Sequence, residues 1–229
     1  YSAIGCQDEA MFDDARPWWT EYDADQRIAV FAKATGARVL VCHTTIHQGA
    51  KLLRDARNDG AHLYIETCPH YLIFDRNVLR EKKSFAKCTP PFRSRENVEQ
   101  LWNYVLDGTI DVLGSDHGPF TDGVHKRGLP WTRLAQLTSG NAAKILGLSP
   151  RKGTLTPGAD ADIILIDPER QWTYDGLQSF SKTKSAKGPY QGMALKGKVT
   201  DTFVRGIHVY HEGSILCEAG CGRLVESRR

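Results

Sequence analysis

With 229 residues and 41% apolar side chains, the chain can bury a sizeable core, as one large domain or one and a half ordinary ones. Thirty Lys and Arg against 27 Asp and Glu leave a net charge of +3, scattered apart from short clusters such as Arg80 to Lys83, a pattern that recommends neither nucleic acid nor a membrane as partner. There is no run of 18 apolar residues and no basic-apolar-small signal at the start, and six cysteines (Cys6, Cys42, Cys68, Cys88, Cys217, Cys221) are too sparse for a disulfide framework, so they read as reduced thiols of a cytoplasmic protein.

In chain order, Arg38 to Cys42 is a short apolar run that ends in His43. His47 to Asn58 then sets Ala50, Leu53 and Ala56 at helical spacing, with Gly60 where a helix ends. A second run, Leu63 to Ile65, ends in Glu66, Thr67, Cys68, Pro69 and His70. Asn97 to Asp107 repeats the helical device with Val98, Leu101, Trp102 and Val105, and Gly108 follows. The third run, Thr109 to Gly114, stops at Ser115, Asp116 and His117 and breaks at Gly118-Pro119. Helices that each feed a strand are the pattern of a parallel sheet or barrel, whose strand C-termini build active sites. After Gly147 the pattern changes to strands joined by Gly and Pro turns: Gly153 to Asp167, Lys198 to Arg205, and Ile207 to His211. Two modules are therefore expected, residues 1–149 as βα units and residues 150–229 as a mainly β module packed against them.

Among candidate functional residues, a lone histidine after an apolar strand is often only structural. At a strand end, followed by Thr44-Thr45 and a helix, His43 is instead a candidate metal ligand, because neutral imidazole suits zinc and related ions. Asp116 could cap a helix or pair with a cation. Its neighbour His117 and the Gly118-Pro119 break expose it at a strand mouth, where a carboxylate can ligate an ion and accept a proton from water. The stretches Glu66 to Leu72 and Lys87 to Arg93 are loops by their prolines, and Pro90-Pro91 holds Thr89 extended so that its N–H and C=O can face a planar amide. Cys217 and Cys221 form a weak zinc half-site because no second pair accompanies them. A nucleophile elbow and a glycine-rich phosphate loop are both absent.

Taken together, these segments resemble the cyclic amidohydrolases: hydantoinase, dihydropyrimidinase, allantoinase and dihydroorotase. The resemblance is carried by Val41 to Thr45, Glu66 to Leu72, Lys87 to Arg93, Gly114 to His117, Ser139 to Gly147 with Lys152 to Asp162, and Pro189 to Gly192 with Phe203 to Gly206, in family order. It implies a partial metal-dependent (β/α)8 barrel, matching the family's later βα units, plus a small β-sandwich. The implied activity is hydrolytic opening of a ring amide by metal-activated hydroxide. It also implies a divalent-metal cofactor, two zinc ions, with His43 and Asp116 as ligands and Asp116 as the catalytic base. Thr89 and Cys88 would meet the substrate, with Glu66, His70 and His117 supporting the ligands from behind. The partners implied are a small cyclic amide or ureide and further copies of the chain, as a dimer or tetramer.

Two departures qualify the resemblance. The family's His-x-His, its carboxylated lysine and one further histidine have no counterpart in this sequence, and several dozen family residues are missing between Lys126 and Arg127. Both are expected if these residues are part of a longer protein, and the Cα atoms of Lys126 and Arg127 should then lie farther apart than the ~3.8 Å of one peptide. The competing readings are a superfamily deaminase acting at a C=N carbon and a non-catalytic, dihydropyrimidinase-like assembly protein. The loops at Glu66 to His70 and Thr89 to Pro91 point away from the first, and retention of His43 and Asp116 points away from the second.

Overall fold

The computed structural model describes residues 16–116, 128–182 and 184–226. Lys126, Arg127 and His117 lie outside the described residues, so the expectations placed on them find no structural counterpart. The first element is a helix, α1 (Trp18–Thr35), followed by β1 (Val39–Val41), α2 (His47–Asn58) and β2 (Leu63–Thr67). Two short helices, α3 (Pro69–Ile73) and α4 (Asn77–Lys82), lead through a 3-10 turn to α5 (Arg95–Leu106) and β3 (Val112–Leu113). The three strands form a parallel sheet in the order β1-β2-β3, with Val41 opposite Ile65 and Glu66 opposite Val112. Beyond the regular pairs, Thr44 N–H donates to Glu66 C=O (2.9 Å) and Gly114 N–H to Thr67 C=O (3.0 Å), so the ladder extends to the residues after each strand.

The helices form where the apolar spacing is strong. Ala50 and Leu53 of α2 and Val98, Leu101, Trp102 and Val105 of α5 are all essentially fully buried against the sheet. Helix α5 begins two residues before the expected Asn97, because the Ser94 hydroxyl accepts the Asn97 N–H (3.2 Å) as an N-cap. Helix α1 carries no such stripe: its buried residues are Asp25, Ala29 and Ala32, while Val30 and Phe31 are exposed. It ends at Gly36, which adopts φ 70°, a left-handed conformation that costs glycine least.

Downstream, α6 (Trp131–Ala135), a π-helical turn (Gln136–Gly140) and α7 (Asn141–Ile145) run without interruption. Strands β4 (Ile163–Thr173), β5 (Ala194–Val204), β6 (Ile207–His211) and β7 (Ser214–Ile215) then form one antiparallel sheet in sequence order. These strands follow the helices along the chain. Among the described residues they form a single layer, without the second sheet that a sandwich requires. The segment between β4 and β5 returns to the first half: Tyr190 is buried and its ring centroid lies 5.0 Å from that of Phe74.

Candidate functional site

The C-terminal ends of β1, β2 and β3 converge. His43, two residues past β1, adopts φ 61°, an uncommon conformation for a side-chain-bearing residue, and this turns its ring across the sheet toward β2. Its Nδ1 lies 3.3 Å from Cys68 Sγ and 3.6 Å from Glu66 Oε1, and Cys68 Sγ lies 3.7 Å from the same carboxylate oxygen. These three donor atoms, one imidazole, one carboxylate and one thiol, all fall within 4.8 Å of one another. Glu66 and Cys68 are buried while His43 is half exposed, so the group opens to solvent on the His43 side. Gly114 makes room for it: a Cβ built there would stand 1.8 Å from Glu66 Oε1, so only glycine at the end of β3 lets the carboxylate lie against the backbone.

The surroundings are dry and acidic. Burial pushes the Cys68 thiol well above its usual range, and the nearby Glu66 and Asp116 charges add to this. Burial holds His70 neutral, its pKa lowered to about 4. The Nε2 of His70 is buried without a hydrogen-bond partner, an orphan that a cation or a water would satisfy. Asp116 adopts φ 37°, is exposed, and stands outside the three-donor group, yet its charge acts on Cys68, His70, Tyr71, Cys88 and Tyr190. Cys88 donates to Pro90 C=O (3.1 Å), and burial pushes its pKa up to about 12. Thr89 is exposed in the same loop, and its hydroxyl accepts from Arg16 Nη1 at 3.4 Å.

A buried polar network fixes the loop that carries His43. Glu21 of α1 accepts the main-chain N–H of Thr45 (2.7 Å) and of Ile46 (3.2 Å), and the Thr45 hydroxyl as well. Arg93, at the end of the Lys87 to Arg93 loop, donates to Glu21 Oε2 (3.0 Å), Thr45 Oγ1 (3.0 Å) and Arg16 C=O (2.9 Å). Asn97 closes the cage from α5, donating to Thr45 C=O (2.7 Å) and accepting the His47 N–H (3.0 Å). Helix α2 has no side-chain cap of its own, so Glu21 and Asn97 satisfy its first N–H groups across tertiary distance. One guanidinium therefore ties the proline loop to the loop after β1.

The amidohydrolase family model matches residues 25–209, a span that holds every strand-end donor described above. The chain belongs to the amidohydrolase family. Among its curated relatives is an allantoinase of Salmonella newport, 32% identical over 223 residues, which cover 86% of this chain and 49% of that protein. The fold of this amidohydrolase chain matches the L-hydantoinase (dihydropyrimidinase) of Arthrobacter aurescens with a TM-score of 0.88 at 30% identity, over 95% of this chain and 54% of that one. A dihydropyrimidinase of Brevibacillus agri gives a TM-score of 0.86 at 28% identity, covering 97% and 55%. The chain spans about half the length of the relatives it matches. These neighbours imply a partial TIM-barrel-type α/β fold, and the C-terminal strand ends of such barrels are where their chemistry is carried.

For this amidohydrolase, the structure brings His43, Glu66 and His70 to one place and sets Asp116 within electrostatic range of it. Three features escaped sequence reasoning. Cys68 was visible only as part of a loop motif, although a thiol one residue past a strand whose last two residues are Glu66 and Thr67 is a signal. Glu21 and Arg93 carry no local signal, since they meet only in three dimensions. Tyr190 belongs to the Pro189 to Gly192 segment, but nothing in the sequence places its phenol, buried and without a described partner, beside the strand ends.

Proposed function

We propose that this chain carries the later half of the active site of a cyclic-amide hydrolase of the allantoinase or hydantoinase type. The observation that carries the reading is the group His43, Glu66 and Cys68, set at the strand ends of a barrel-type sheet beside an unpartnered buried His70 nitrogen. This donor set fits a divalent ion, zinc by the preference of imidazole and thiolate donors. When bound, a divalent ion supplies an activated water at neutral pH and positive charge beside the substrate carbonyl.

The chain's own residues then divide the remaining work. His43 offers a ring nitrogen held in place by its strained backbone and the Glu21–Arg93 cage. Asp116, outside the three-donor group yet within electrostatic range of it, offers an exposed carboxylate that would join His43 on the ion and would take a proton from water for the departing ring nitrogen, a general acid–base role. Thr89 presents main-chain groups, and Cys88 lines the buried side of the same loop, where a planar ring amide would lie. Glu66 contributes a carboxylate oxygen to that donor set, and His70 stands behind it, neutral and therefore able to accept or donate one hydrogen bond. His117 belongs to the same reading by its sequence position.

The rest of the metal site, including the second ion, belongs in this proposal to residues beyond this chain, as do the second layer of the β module and any homo-oligomeric assembly. No helix among the described residues is long and apolar enough to cross a membrane. The test is ring opening by the protein extended to the full length of its relatives. With zinc added, it should hydrolyse allantoin, hydantoin or dihydrouracil and lose that activity to a chelator. Metal-replete protein that opens none of these rings, or turnover untouched by metal removal, would contradict the proposal.

A further inference from the structure

The β5–β6 hairpin holds a second convergence of donors, far from the strand ends in sequence. On a regular strand His208 and His211, three residues apart, would face opposite sides of the sheet. Here the register slips: Phe203 pairs with His208, Thr202 with Tyr210 and Asp201 with His211, so Val209 is an extra residue on β6. This bulge turns both imidazoles to the face of Asp201. His208 Nε2 stands 2.9 Å and His211 Nδ1 2.7 Å from the same Asp201 Oδ1. The three donor atoms lie within 4.8 Å of one another.

The surroundings suit an ion. The His208 ring is stacked on Phe203, with centroids 4.5 Å apart and planes inclined by 13°, which fixes its edge toward the carboxylate. Asp201 is largely covered, at 16% side-chain exposure, whereas His211 is 56% exposed and leaves an entry path from solvent. The nearby cation Arg170 is matched by Glu212 at 2.6 Å, so it does not claim Asp201. Zinc takes imidazole and carboxylate donors at about 2.0–2.2 Å, which places neighbouring donors slightly farther apart than they stand here; small side-chain rotations supply the difference.

We propose that Asp201, His208 and His211 form a zinc-class divalent metal site on the small sheet, with solvent completing the coordination, distinct from the group at His43. A bound ion would clasp β5 to β6 across the bulge. The chemistry is that of a structural or loading site, independent of the ring-opening activity proposed above.

The test is zinc titration of the full chain by competition with a chromophoric chelator, repeated with Co²⁺ for its absorption spectrum. In a Cys68→Ser variant, which takes the thiolate out of the group at His43, the remaining site should bind Co²⁺ with a spectrum that lacks thiolate charge transfer. His211→Gln, at an exposed position, should weaken that site by about tenfold or more, and His208→Gln/His211→Gln should abolish it together with the zinc-dependent rise in melting temperature. If the double variant does not fold, His211→Gln alone decides. Zinc stoichiometry and affinity unchanged by His211→Gln would overturn the proposal and leave the three residues as a hydrogen-bonded clasp.

Discussion

The parallel βα half and the antiparallel sheet are stabilised by different means. Nearly every buried apolar side chain belongs to residues 29–143, with Tyr190 and Leu195 the later members. In the antiparallel sheet Ile164, Leu165, Ile207 and Ile215 are each about half exposed. Parallel strands flanked by helices are buried on both faces, so their polar residues collect where the strands end. An antiparallel hairpin leaves a face open, so the partly exposed His208 and His211 can sit within strands at no great desolvation cost. One chain therefore builds two donor groups by two routes, strand termini in the first half and a bulge in the second.

The sharpest way to break the comparison is to remove one partner of the Glu21–Arg93 pair, whose side chains are only 11% and 7% exposed. Arg93→Met leaves Glu21 buried and unpaired and should cost about 3–5 kcal/mol in denaturant unfolding. Arg170→Met, which breaks the solvated pair with Glu212 on the sheet, should leave the midpoint unchanged. Equal costs for the two variants would mean that the halves do not differ as described.

Truncation of apolar side chains should show the same contrast on a smaller scale. Leu53→Ala, at a fully buried position, should cost about 2–5 kcal/mol. Leu165→Ala, at 49% exposure, should stay within about 0.5 kcal/mol in this chain. A larger cost for Leu165→Ala in a longer form of the protein would show that an additional layer covers that face.

Gly114→Ala probes the strand ends directly. The new methyl would displace Glu66, and the overpacking should cost about 1–3 kcal/mol while weakening zinc retention at His43 and Cys68. Unchanged zinc retention would remove Glu66 from the donor group.

A pH dependence is expected in α1. Asp25 is 4% exposed, its Oδ2 has no partner, and burial with the Glu21 charge pushes its pKa up to about 7. Because the folded state holds this proton more tightly than the unfolded state, stability should fall as pH rises from about 4 to 7 and level off above. Asp25→Asn should flatten that slope in urea titrations across the range, and a slope identical to the parent's would assign the dependence to another group.

How much of this was legible in the sequence follows from the same physics. Helices α2 and α5 were readable because their apolar residues recur at helical spacing. The strand ends were readable because polar residues interrupt short apolar runs at prolines and glycines. Helix α1 was not, since Ala29, Ala32 and Asp25 make too weak a stripe beside the exposed Val30 and Phe31. The cage around Thr45 was not, because Glu21, Arg93 and Asn97 lie 24 to 52 positions away from it along the chain. The bulge at Val209 was hidden as well: period-two reading assigns His208 and His211 to opposite faces, and only the register shift reunites them.

The central claim, that these strand ends perform metal-assisted ring opening, is tested most directly by Asp116→Asn in the protein extended to the full length of its relatives. Turnover of the preferred ring substrate should be measured with excess zinc and with bound metal quantified in the same samples. The substitution keeps a neutral donor of similar shape and removes the base, so the account predicts intact folding and a rate lower by at least about 100-fold at full metal occupancy. A metal-replete Asp116→Asn protein with turnover near that of the parent would contradict it.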